Sequence, residues 1–289
     1  MPELPEVEVV KRSLERKSLN LIIKKVKIKD GNLRYKVDRD KISKLKGKTF
    51  IKIKRRSKFL ILETEGDLIM LVHLGMTGKF FFIDKKEIKY KTSFYYDLNY
   101  RKDKKYNRII FFLQNNQKLI YNDVRKFGFI KFYNSKKYQK IPHLKNLGPE
   151  PFDKIFNLKY FKNFISRKKR NIKNILMDQN CVSGLGNIYV NEILFKSRVR
   201  PTRKAYSLKG SEILKIIKNT KIILKKSIEH GGASIKDFSS ENGKRGSFQQ
   251  FFKVYGREGE RCSNTDCIKT IKRVVISNRA SFFCSNCQK

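Results

Sequence analysis

The sequence predicts an α+β protein with an N-terminal antiparallel β-sandwich and flanking helices, then a helical part that ends in a four-cysteine β-hairpin. Three observations predict it: a series of short β-rich segments, a change to helical periodicity in the second half, and four cysteines close together near the end. With 289 residues the chain can form one large domain or two modest ones, each with its own core.

The chain opens with a predicted helix. Pro5 suits the first turn of a helix, and the acidic Glu6 is favourable near the positive end of the helix dipole. Val7, Val10 and Leu14 recur at helical spacing and are expected to form a buried stripe.

Short β-rich segments follow between residues 21 and 133, separated by DGN, EGD and QNN turns. Since no helical segment is predicted between them, they favour an antiparallel sandwich over a parallel sheet. The predicted strands are LIIKKVKI, TFIKIKR, KFLILET, LIMLVHL, GKFFFI, RIIFFL, KLIYND and FGFIKFY. The Lys/Tyr-rich stretch from Asp84 to Asn107 interrupts this pattern and is expected to be an exposed connection.

The second half has helical periodicity. LGPEPF at 147–152 is a Pro/Gly break that suits a domain boundary. Beyond it a long amphipathic helix is predicted to stop at Gly231-Gly232. Its inner face is marked by Ile213, Ile216, Thr220, Ile223 and Ile228. The polar, glycine-rich SSENGKRGS at 239–247 is expected to be a mobile loop.

The charge of the chain favours a polyanionic partner. Lys and Arg number 68 against 26 Asp and Glu, a formal net charge of +42. A lysine-rich genome is the alternative source of part of this excess, but nucleic acid is favoured over a membrane surface either way. No stretch is long and apolar enough for a transmembrane span, and MPELPEVEVVKR does not resemble a signal peptide. We expect a cytoplasmic protein.

The cysteines favour a metal over disulfides. Four residues separate Cys262 from Cys267, sixteen separate Cys267 from Cys284, and two separate Cys284 from Cys287. Two close pairs joined by a hairpin suit a tetrahedral zinc site with four thiolates, and the alternative is two chance pairs. Arg279, at the predicted bend of the hairpin, is either placed to enter a groove or an ordinary solvated arginine.

The N-terminus is a second candidate for chemistry. Removal of methionine is favoured before a small residue and would leave Pro2 with a secondary amine. An α-amino group titrates near ~7.7–8.0, so that a useful fraction is neutral and nucleophilic at physiological pH. Attack of a secondary amine on an aldehyde carbon gives a cationic iminium, and Glu3 beside it is placed to move protons. Taken alone, a proline and a glutamate after an initial methionine do not indicate a catalytic N-terminus.

A set of motifs in a fixed order supports the functional interpretation. The chain closely resembles the formamidopyrimidine-DNA glycosylases of the bacterial MutM type, with matches spread from residue 2 to residue 288. The leucine in PELPE separates it from endonuclease VIII, which typically has PEGPE. The motifs are MPELPEVE, Lys58 in RRSKFL, HLGMTG at 73–78, NDVRKFG at 122–128, LGPEPF, LMDQNCVSGLGNIYVNEILF at 176–195, FQQFFKVYGREGERC and the terminal FFCSNCQK.

The resemblance implies a bifunctional glycosylase and lyase that removes oxidised purines from double-stranded DNA. Pro2 would attack the sugar C1′ and expel the base, and Glu3 would protonate the ribose ring oxygen. Beta- and delta-elimination would then cut the strand on both sides. Lys58 matches the lysine that holds a phosphate at the lesion. One structural zinc ion would be bound by Cys262, Cys267, Cys284 and Cys287.

The resemblance also implies DNA-binding residues. Met76, Arg125 and Phe127 match residues that fill the gap left by an extruded nucleotide. Lys173, Asn187 and Arg279 match backbone contacts, with Asn187 in a helix–two-turn–helix element. Taken singly, Met76 and Phe127 are better interpreted as core residues, and the alternatives for Lys58 and Asn187 are a solvated lysine and a helix N-cap. Found together in the order of the family, these residues favour the functional interpretation.

The resemblance divides the chain into a catalytic β-sandwich at 2–135, a linker at 136–152, a helix–two-turn–helix domain at 153–250 and a zinc finger at 251–289. The first cysteine pair is spaced by four residues where the family commonly has two. Cys181 is expected to be a buried thiol. We expect a monomer associated with the nucleoid. A scaffold that lost its chemistry, an endonuclease VIII-like enzyme and a zinc-ribbon RNA-binding protein are the competing hypotheses.

Overall fold

The computed structural model describes residues 1–83, 89–91, 104–233 and 247–289. These residues form two compact units. Unit 1 contains Met1–Lys145 and His230–Ser247, and unit 2 contains Asn146–Glu229 and Phe248–Lys289. Most of the predicted connection at 84–107 and of the predicted loop at 239–247 lies outside the described residues.

Unit 1 is an antiparallel β-sandwich preceded by the predicted helix. The elements are helices α1 (Leu4–Ser18) and α2 (Arg39–Ser43), and strands β1 (Ile23–Ile28), β2 (Phe50–Arg56), β3 (Phe59–Thr64), β4 (Leu68–His73), β5 (Lys79–Ile83), β6 (Lys89–Lys91), β7 (Asn107–Leu113), β8 (Lys118–Asn122) and β9 (Phe129–Asn134). Short 3-10 turns occur at Lys104–Tyr106, Gln114–Asn116 and Ser135–Lys140. Every β-rich segment predicted from the sequence is a strand, so the predicted fold class is confirmed.

The strands form two sheets. One has the order β1-β7-β8-β5-β6 and the other the order β2-β3-β4-β9, with antiparallel neighbours throughout. Alternating side chains of both sheets are buried in one apolar core, as the period of two in a strand requires. The predicted stripe of α1, Val7, Val10 and Leu14, belongs to the same core, and each of these residues is at most 1% exposed.

Helix α2 lies between β1 and β2, where the sequence predicts no helix. It has only five residues, which is too short to display a helical repeat of apolar positions. Its start depends on Asp38, whose Oδ1 accepts a hydrogen bond from Lys41 N at 2.9 Å. A single cap therefore determines this helix.

Unit 2 combines helices with a hairpin. Its elements are α3 (Leu158–Ile165), α4 (Ile172–Met177), α5 (Asn187–Lys196), α6 (Gly210–Glu229), β10 (Ile271–Ile276) and β11 (Arg279–Cys284), with 3-10 turns at Ala205–Ser207 and Phe248–Phe251. The predicted amphipathic helix is α6, which ends before Gly231 and Gly232, both at positive φ. The hairpin turns at Ser277 and Asn278, with φ of 47° and 57°.

The boundary between the units falls after Lys145, and helices α3 to α6 lie in the same unit as the hairpin. The finer division into four parts stays a prediction. None of the helices within the described ranges has the length and apolar character needed to cross a membrane.

Candidate active site and nucleic-acid interface

The residues that follow Met1 in unit 1 are buried at the start of α1. Pro2 is buried and Glu3 is 3% exposed. Glu3 is the N-cap of α1 and forms a capping box with Glu6, whose Oε2 accepts a hydrogen bond from Glu3 N at 2.9 Å. The Oε1 of Glu6 accepts one from Ala233 N at 2.9 Å. A buried carboxylate therefore fixes the backbone beside Pro2.

Charged side chains surround the terminal amine. Burial lowers the pKa of this amine, carried by Met1 in the full chain; Glu3 and Glu6 raise the pKa, and Lys58 and Arg125 lower it. Lys58 lies between β2 and β3 and is 7% exposed, so that it is not a solvated lysine. The fold thus brings Lys58 and Arg125 to the N-terminus, beside Glu3, from two distant parts of the sequence.

Three side chains project from two turns of unit 1, and we call Met76, Arg125 and Phe127 the exposed cluster. Met76 is 39% exposed and Phe127 is 46% exposed, so neither is a core residue. The guanidinium carbon of Arg125 lies 4.6 Å from the centre of the Phe127 ring. Exposed apolar side chains next to a cation are available for contact with a partner, which core residues are not.

The two turns that carry the exposed cluster touch through their backbones. Gly75 has a φ of +62°, and a Cβ there would lie 2.4 Å from Gly128 N and 2.4 Å from the carbonyl carbon of Phe127. No side chain larger than hydrogen fits at this position, and the glycine in HLGMTG is explained by the close approach.

In unit 2, α5 begins at Asn187 after the glycine-rich loop. Asn187 is the first helical residue and Gly186 occupies the cap position, so the N-cap interpretation of Asn187 is wrong. Its Nδ2 donates a hydrogen bond to Ala280 O at 3.1 Å, and its Oδ1 is buried with no hydrogen-bond donor among the described residues. The N–H groups of the first turn of α5 offer an anion site beside the hairpin.

Lys173 joins α4 to the hairpin. It is 1% exposed, and its Nζ donates to Ala280 O at 2.9 Å and to Ser281 Oγ at 2.6 Å. Burial, with a smaller effect of the Arg279 cation, lowers the pKa of Lys173 to about 8. Arg279 follows the turn of the hairpin and is exposed. Lys173 therefore supports the strand that carries Arg279, a role that its sequence position does not indicate.

The four cysteines of the hairpin meet at one point. The Sγ atoms of Cys262, Cys267, Cys284 and Cys287 all lie within 4.8 Å of one another. Cys262 and Cys287 are 3.8 Å apart at Sγ, and Cys267 and Cys284 are 3.6 Å apart. Four sulfurs at about 2.3 Å from a tetrahedral zinc are separated by roughly 3.8 Å, whereas a disulfide needs about 2.05 Å. The cluster can hold a metal ion, and the four-residue spacing of the first pair fits it.

The chain matches two family models, described as the formamidopyrimidine-DNA glycosylase N-terminal domain over residues 1–130 and the formamidopyrimidine-DNA glycosylase H2TH domain over residues 147–239. It is 38% identical over 288 residues to a formamidopyrimidine-DNA glycosylase of Rickettsia conorii, covering 100% of this chain and 99% of that protein. The corresponding protein of Roseobacter denitrificans is 34% identical over 289 residues, with 100% of both chains covered. The chain belongs to the formamidopyrimidine-DNA glycosylase family.

Solved structures of this family share the fold. A mutant of the Lactococcus lactis glycosylase in complex with Fapy-dG DNA is similar, with a TM-score of 0.85, 31% identity and 100% of both chains covered. A complex of the Lactococcus lactis glycosylase with DNA containing an abasic site has a TM-score of 0.84 at 31% identity and covers 99% of both chains. Membership of the family makes the chain a DNA glycosylase.

His73, in the family motif HLGMTG, is a site residue that sequence reasoning missed. Burial, together with the cations of Lys58 and Arg34, lowers the pKa of His73 to about 4, so the imidazole is neutral at physiological pH. Its Nδ1 accepts a hydrogen bond from Gly75 N at 3.1 Å, which leaves the proton on Nε2. His73 therefore offers an N–H donor near Lys58. The sequence motif HLGMTG could have identified His73 as a candidate site residue, because this histidine directly precedes the turn that carries Met76.

Cys181, predicted to be a buried thiol, is 0% exposed. Burial raises the pKa of this thiol, so that the group is an inert part of the core.

Proposed function

We propose that this protein is a bifunctional glycosylase and lyase of base-excision repair, which removes oxidised purines such as 8-oxoguanine and formamidopyrimidines from double-stranded DNA. The observation that carries the proposal is the burial of Pro2 beside the buried Glu3, with Lys58 and Arg125 close enough to the terminal amine to lower its pKa. A scaffold that only binds DNA has no use for a buried terminal amine.

Removal of Met1 would expose the secondary amine of Pro2 in these surroundings. The neutral nitrogen attacks C1′ of the damaged nucleotide and the bond from C1′ to the base breaks. The base leaves with the bonding electrons and takes up the proton that the nitrogen releases. Protonation of the ribose ring oxygen by Glu3 opens the sugar and completes the iminium between Pro2 and C1′. Burial that lowers the pKa of the amine increases the neutral, reactive fraction.

The iminium then drives strand cleavage. It withdraws electrons and acidifies the hydrogen on C2′, so that loss of this proton expels the 3′ phosphate. A second elimination expels the 5′ phosphate, and hydrolysis of the iminium frees Pro2. In this proposal Lys58 and the Nε2 proton of His73 would hold phosphate oxygens during these steps.

The remaining predicted site residues bind DNA in this proposal. The exposed cluster enters the duplex and occupies the space of the extruded nucleotide. Asn187 at the start of α5 and Arg279 on the hairpin contact the phosphate backbone, with Lys173 holding the strand of Arg279. Four cysteines would hold one zinc ion, which when bound cross-links the hairpin to the segment before it. We continue to predict that the protein is a monomer, that it is cytoplasmic and that it associates with the nucleoid.

Trapping by borohydride tests the proposal. Reduction of the iminium joins the protein covalently to a duplex that contains 8-oxoguanine, and the product is a shifted band on a denaturing gel. An endonuclease VIII-like enzyme would be trapped mainly on oxidised pyrimidines, and a non-enzymatic DNA-binding protein or an RNA-binding protein would not be trapped. Absence of any adduct with oxidised purines overturns the proposal.

Arg125 is expected to determine the base preferred opposite the lesion. A guanidinium with fixed donors pairs better with the two acceptors on the exposed edge of cytosine than with adenine. A good bidentate contact is worth roughly 1–3 kcal/mol, so the wild type should prefer a lesion opposite C by about tenfold or more. Arg125→Ala should flatten this preference and leave cleavage of a preformed abasic site near normal, as single-turnover rates would show.

The control for Arg125→Ala is Lys126→Ala, which removes the same charge from the next residue. Lys126 forms an ion pair with Asp30 at 2.7 Å and does not belong to the exposed cluster. It should keep the preference for C. If Arg125→Ala slows all substrates equally and keeps the preference, Arg125 only braces the turn.

Binding to undamaged duplex is expected to be largely electrostatic. The logarithm of the association constant should fall with the logarithm of salt concentration with a slope of about −0.9 per phosphate neutralised. Asn187→Ala and Arg279→Ala should weaken binding to all sequences alike, because both residues would contact the backbone. Fluorescence anisotropy on several unrelated duplexes measures this, with Lys41→Ala on α2 as the control for lost charge. A loss that depends on sequence would place either residue at the base edges.

A further inference from the structure

The two turns of the exposed cluster are joined by a buried pair of polar side chains. Thr77 follows Met76 in the first turn, and Asp123 opens the second turn, 46 residues later. Asp123 is 0% exposed and Thr77 is 4% exposed. The hydroxyl of Thr77 donates a hydrogen bond to Oδ1 of the Asp123 carboxylate.

The carboxylate of Asp123 also closes its own turn. Its Oδ2 accepts a hydrogen bond from Gly128 N at 2.8 Å and a longer one from the hydroxyl of Tyr121 at 3.4 Å. The side chain thus spans the segment that carries Arg125 and Phe127, from its first residue to the glycine that ends it. A carboxylate buried to this extent needs such donors, because unpaired it would be strongly unfavourable.

Thr77 extends the connection to Arg125. Because its hydroxyl hydrogen points to Asp123, its oxygen is oriented to accept the hydrogen bond from Arg125 N, at 3.0 Å. The backbone of Arg125 is therefore tied to the Asp123 carboxylate through one oxygen atom. On the far side, Arg108 Nε donates to Asp123 O at 2.8 Å.

The two turns are also in close steric contact. A Cβ on Gly128 would lie 1.9 Å from the hydroxyl oxygen of Tyr121 and 3.0 Å from Oδ2 of Asp123. Together with the contact of Gly75, this means that the two turns cannot slide past each other without breaking the buried bonds.

We propose that Thr77 and Asp123 are positioning residues that hold the exposed cluster in the geometry needed for insertion into DNA. This inference rests on the proposed function. Met76 and Phe127 are 39% and 46% exposed, so the apolar core does not enclose their side chains, and the backbone of the turns determines where these side chains start. A wedge ordered before it meets DNA loses less conformational entropy on insertion than a mobile one.

The experiment compares Thr77→Val with two controls in otherwise intact protein. Valine keeps the shape and removes the hydroxyl, while Thr77→Ser retains the hydroxyl and should behave like the wild type. Thr64→Val removes a hydroxyl in the same sandwich, where Thr64 is 3% exposed and donates to Leu68 O at 2.9 Å. It reports the effect of losing a buried hydrogen bond at a turn without the exposed cluster.

Single-turnover rates are measured on 8-oxoguanine opposite C, on 8-oxoguanine opposite A and on a preformed abasic site, well below the unfolding temperature of each variant. Thr77→Val should slow excision of the paired lesion by about tenfold or more, since small misplacements of positioned groups have effects of this order. It should reduce the preference for C and leave cleavage of the abasic site within about twofold of wild type, because no base then needs extruding.

Two results overturn the inference separately from the proposed function. If the wild type excises 8-oxoguanine and Thr77→Val matches Thr64→Val on all three substrates, the pair is only a structural brace. If the wild type excises no oxidised purine, the proposed function fails first, and the inference with it. Asp123→Asn keeps the shape of the side chain but replaces one acceptor by a donor. Like Thr77→Val, it should slow excision of the paired lesion and leave cleavage of the abasic site near normal. This variant tests the inference if Thr77→Val does not fold.

Discussion

Pro2→Gly should lose most base excision and strand cleavage while it still binds a lesion-containing duplex. Glycine supplies only a primary amine, whose imine is cationic only when protonated, whereas the iminium of proline is cationic permanently. We expect the single-turnover rate to fall by about a hundredfold, or about 2.7 kcal/mol of transition-state stabilisation. Binding should survive, because affinity for DNA derives mainly from phosphate contacts.

Retention of Met1 should have a larger effect than Pro2→Gly. With Met1 in place the nitrogen of Pro2 belongs to a peptide bond and has no nucleophilic lone pair. Protein produced while methionine aminopeptidase is inhibited, with its N-terminus verified by mass spectrometry, should form no borohydride adduct. Pro5→Ala is the matched control, since Pro5 is a buried proline of the same helix without a terminal amine. Normal activity with Met1 retained would remove Pro2 from the mechanism.

The pH dependence of excision should report the same amine. The Pro2 amine reacts when neutral, so the rate should rise with pH through its pKa. In the full chain, burial and the Lys58 cation lower the pKa of the Met1 amine, and we expect the same direction for the amine of Pro2, which is buried next to it. Lys58→Ala should therefore move the acidic limb of the rate profile to higher pH, in addition to any loss of rate, and Lys58→Arg should leave the limb in place.

The sequence predicts the parts of this molecule that have a local signal. The alternation of apolar residues identifies the strands of the sandwich, and Val7, Val10 and Leu14 identify the buried face of α1. Motifs identify the N-terminal amine and the four cysteines because the chemistry requires those residue types in a particular order. None of these predictions depends on contacts between distant residues.

Features that depend on distant contacts were not predictable in this way. Lys173 bonds to a strand more than a hundred residues later, which explains why a lysine expected at a phosphate is buried. Thr77 and Asp123 meet only once β5 has paired with β8, and the neutral state of His73 results from burial. Local sequence patterns show which residues are apolar, but they do not show which polar side chains will form hydrogen bonds with each other in the folded protein.

Loss of the metal is expected to have the largest effect in unit 2. The apolar cluster around the hairpin is small, and three of its buried members are the thiol-bearing Cys262, Cys267 and Cys284. A core of this size does not hold a hairpin by itself, and structural zinc sites contribute apparent binding free energies of about 10–16 kcal/mol. Native mass spectrometry should find a single zinc ion per chain, and Cys284→Ser should abolish it.

Disorder of the hairpin would weaken DNA binding because hydrogen bonds from β11 hold Arg279 in position. Strand β11 supplies Ala280 O and Ser281 Oγ to Lys173, and its Phe282 N donates to Asn191 Oδ1 at 2.7 Å. When the metal is lost these partners separate, and Arg279 loses its position. Cys284→Ser or a strong chelator should therefore eliminate measurable DNA affinity while the circular dichroism signal of the β-sandwich persists.

Cys181→Ala provides the control that separates metal binding from general loss of stability. Cys181 is as buried as Cys284, both at 0% exposed, and lies in the same unit, but it does not belong to the cluster of four sulfurs. This variant should keep its zinc and its affinity for DNA even if its unfolding temperature falls. Because zinc binding requires deprotonated thiolates, acidification should release the metal from the wild type and from Cys181→Ala together, and affinity should be lost with it. A zinc-free protein that binds DNA with full affinity would contradict the role of the finger, since Lys173 and Asn187 alone would then suffice to place Arg279.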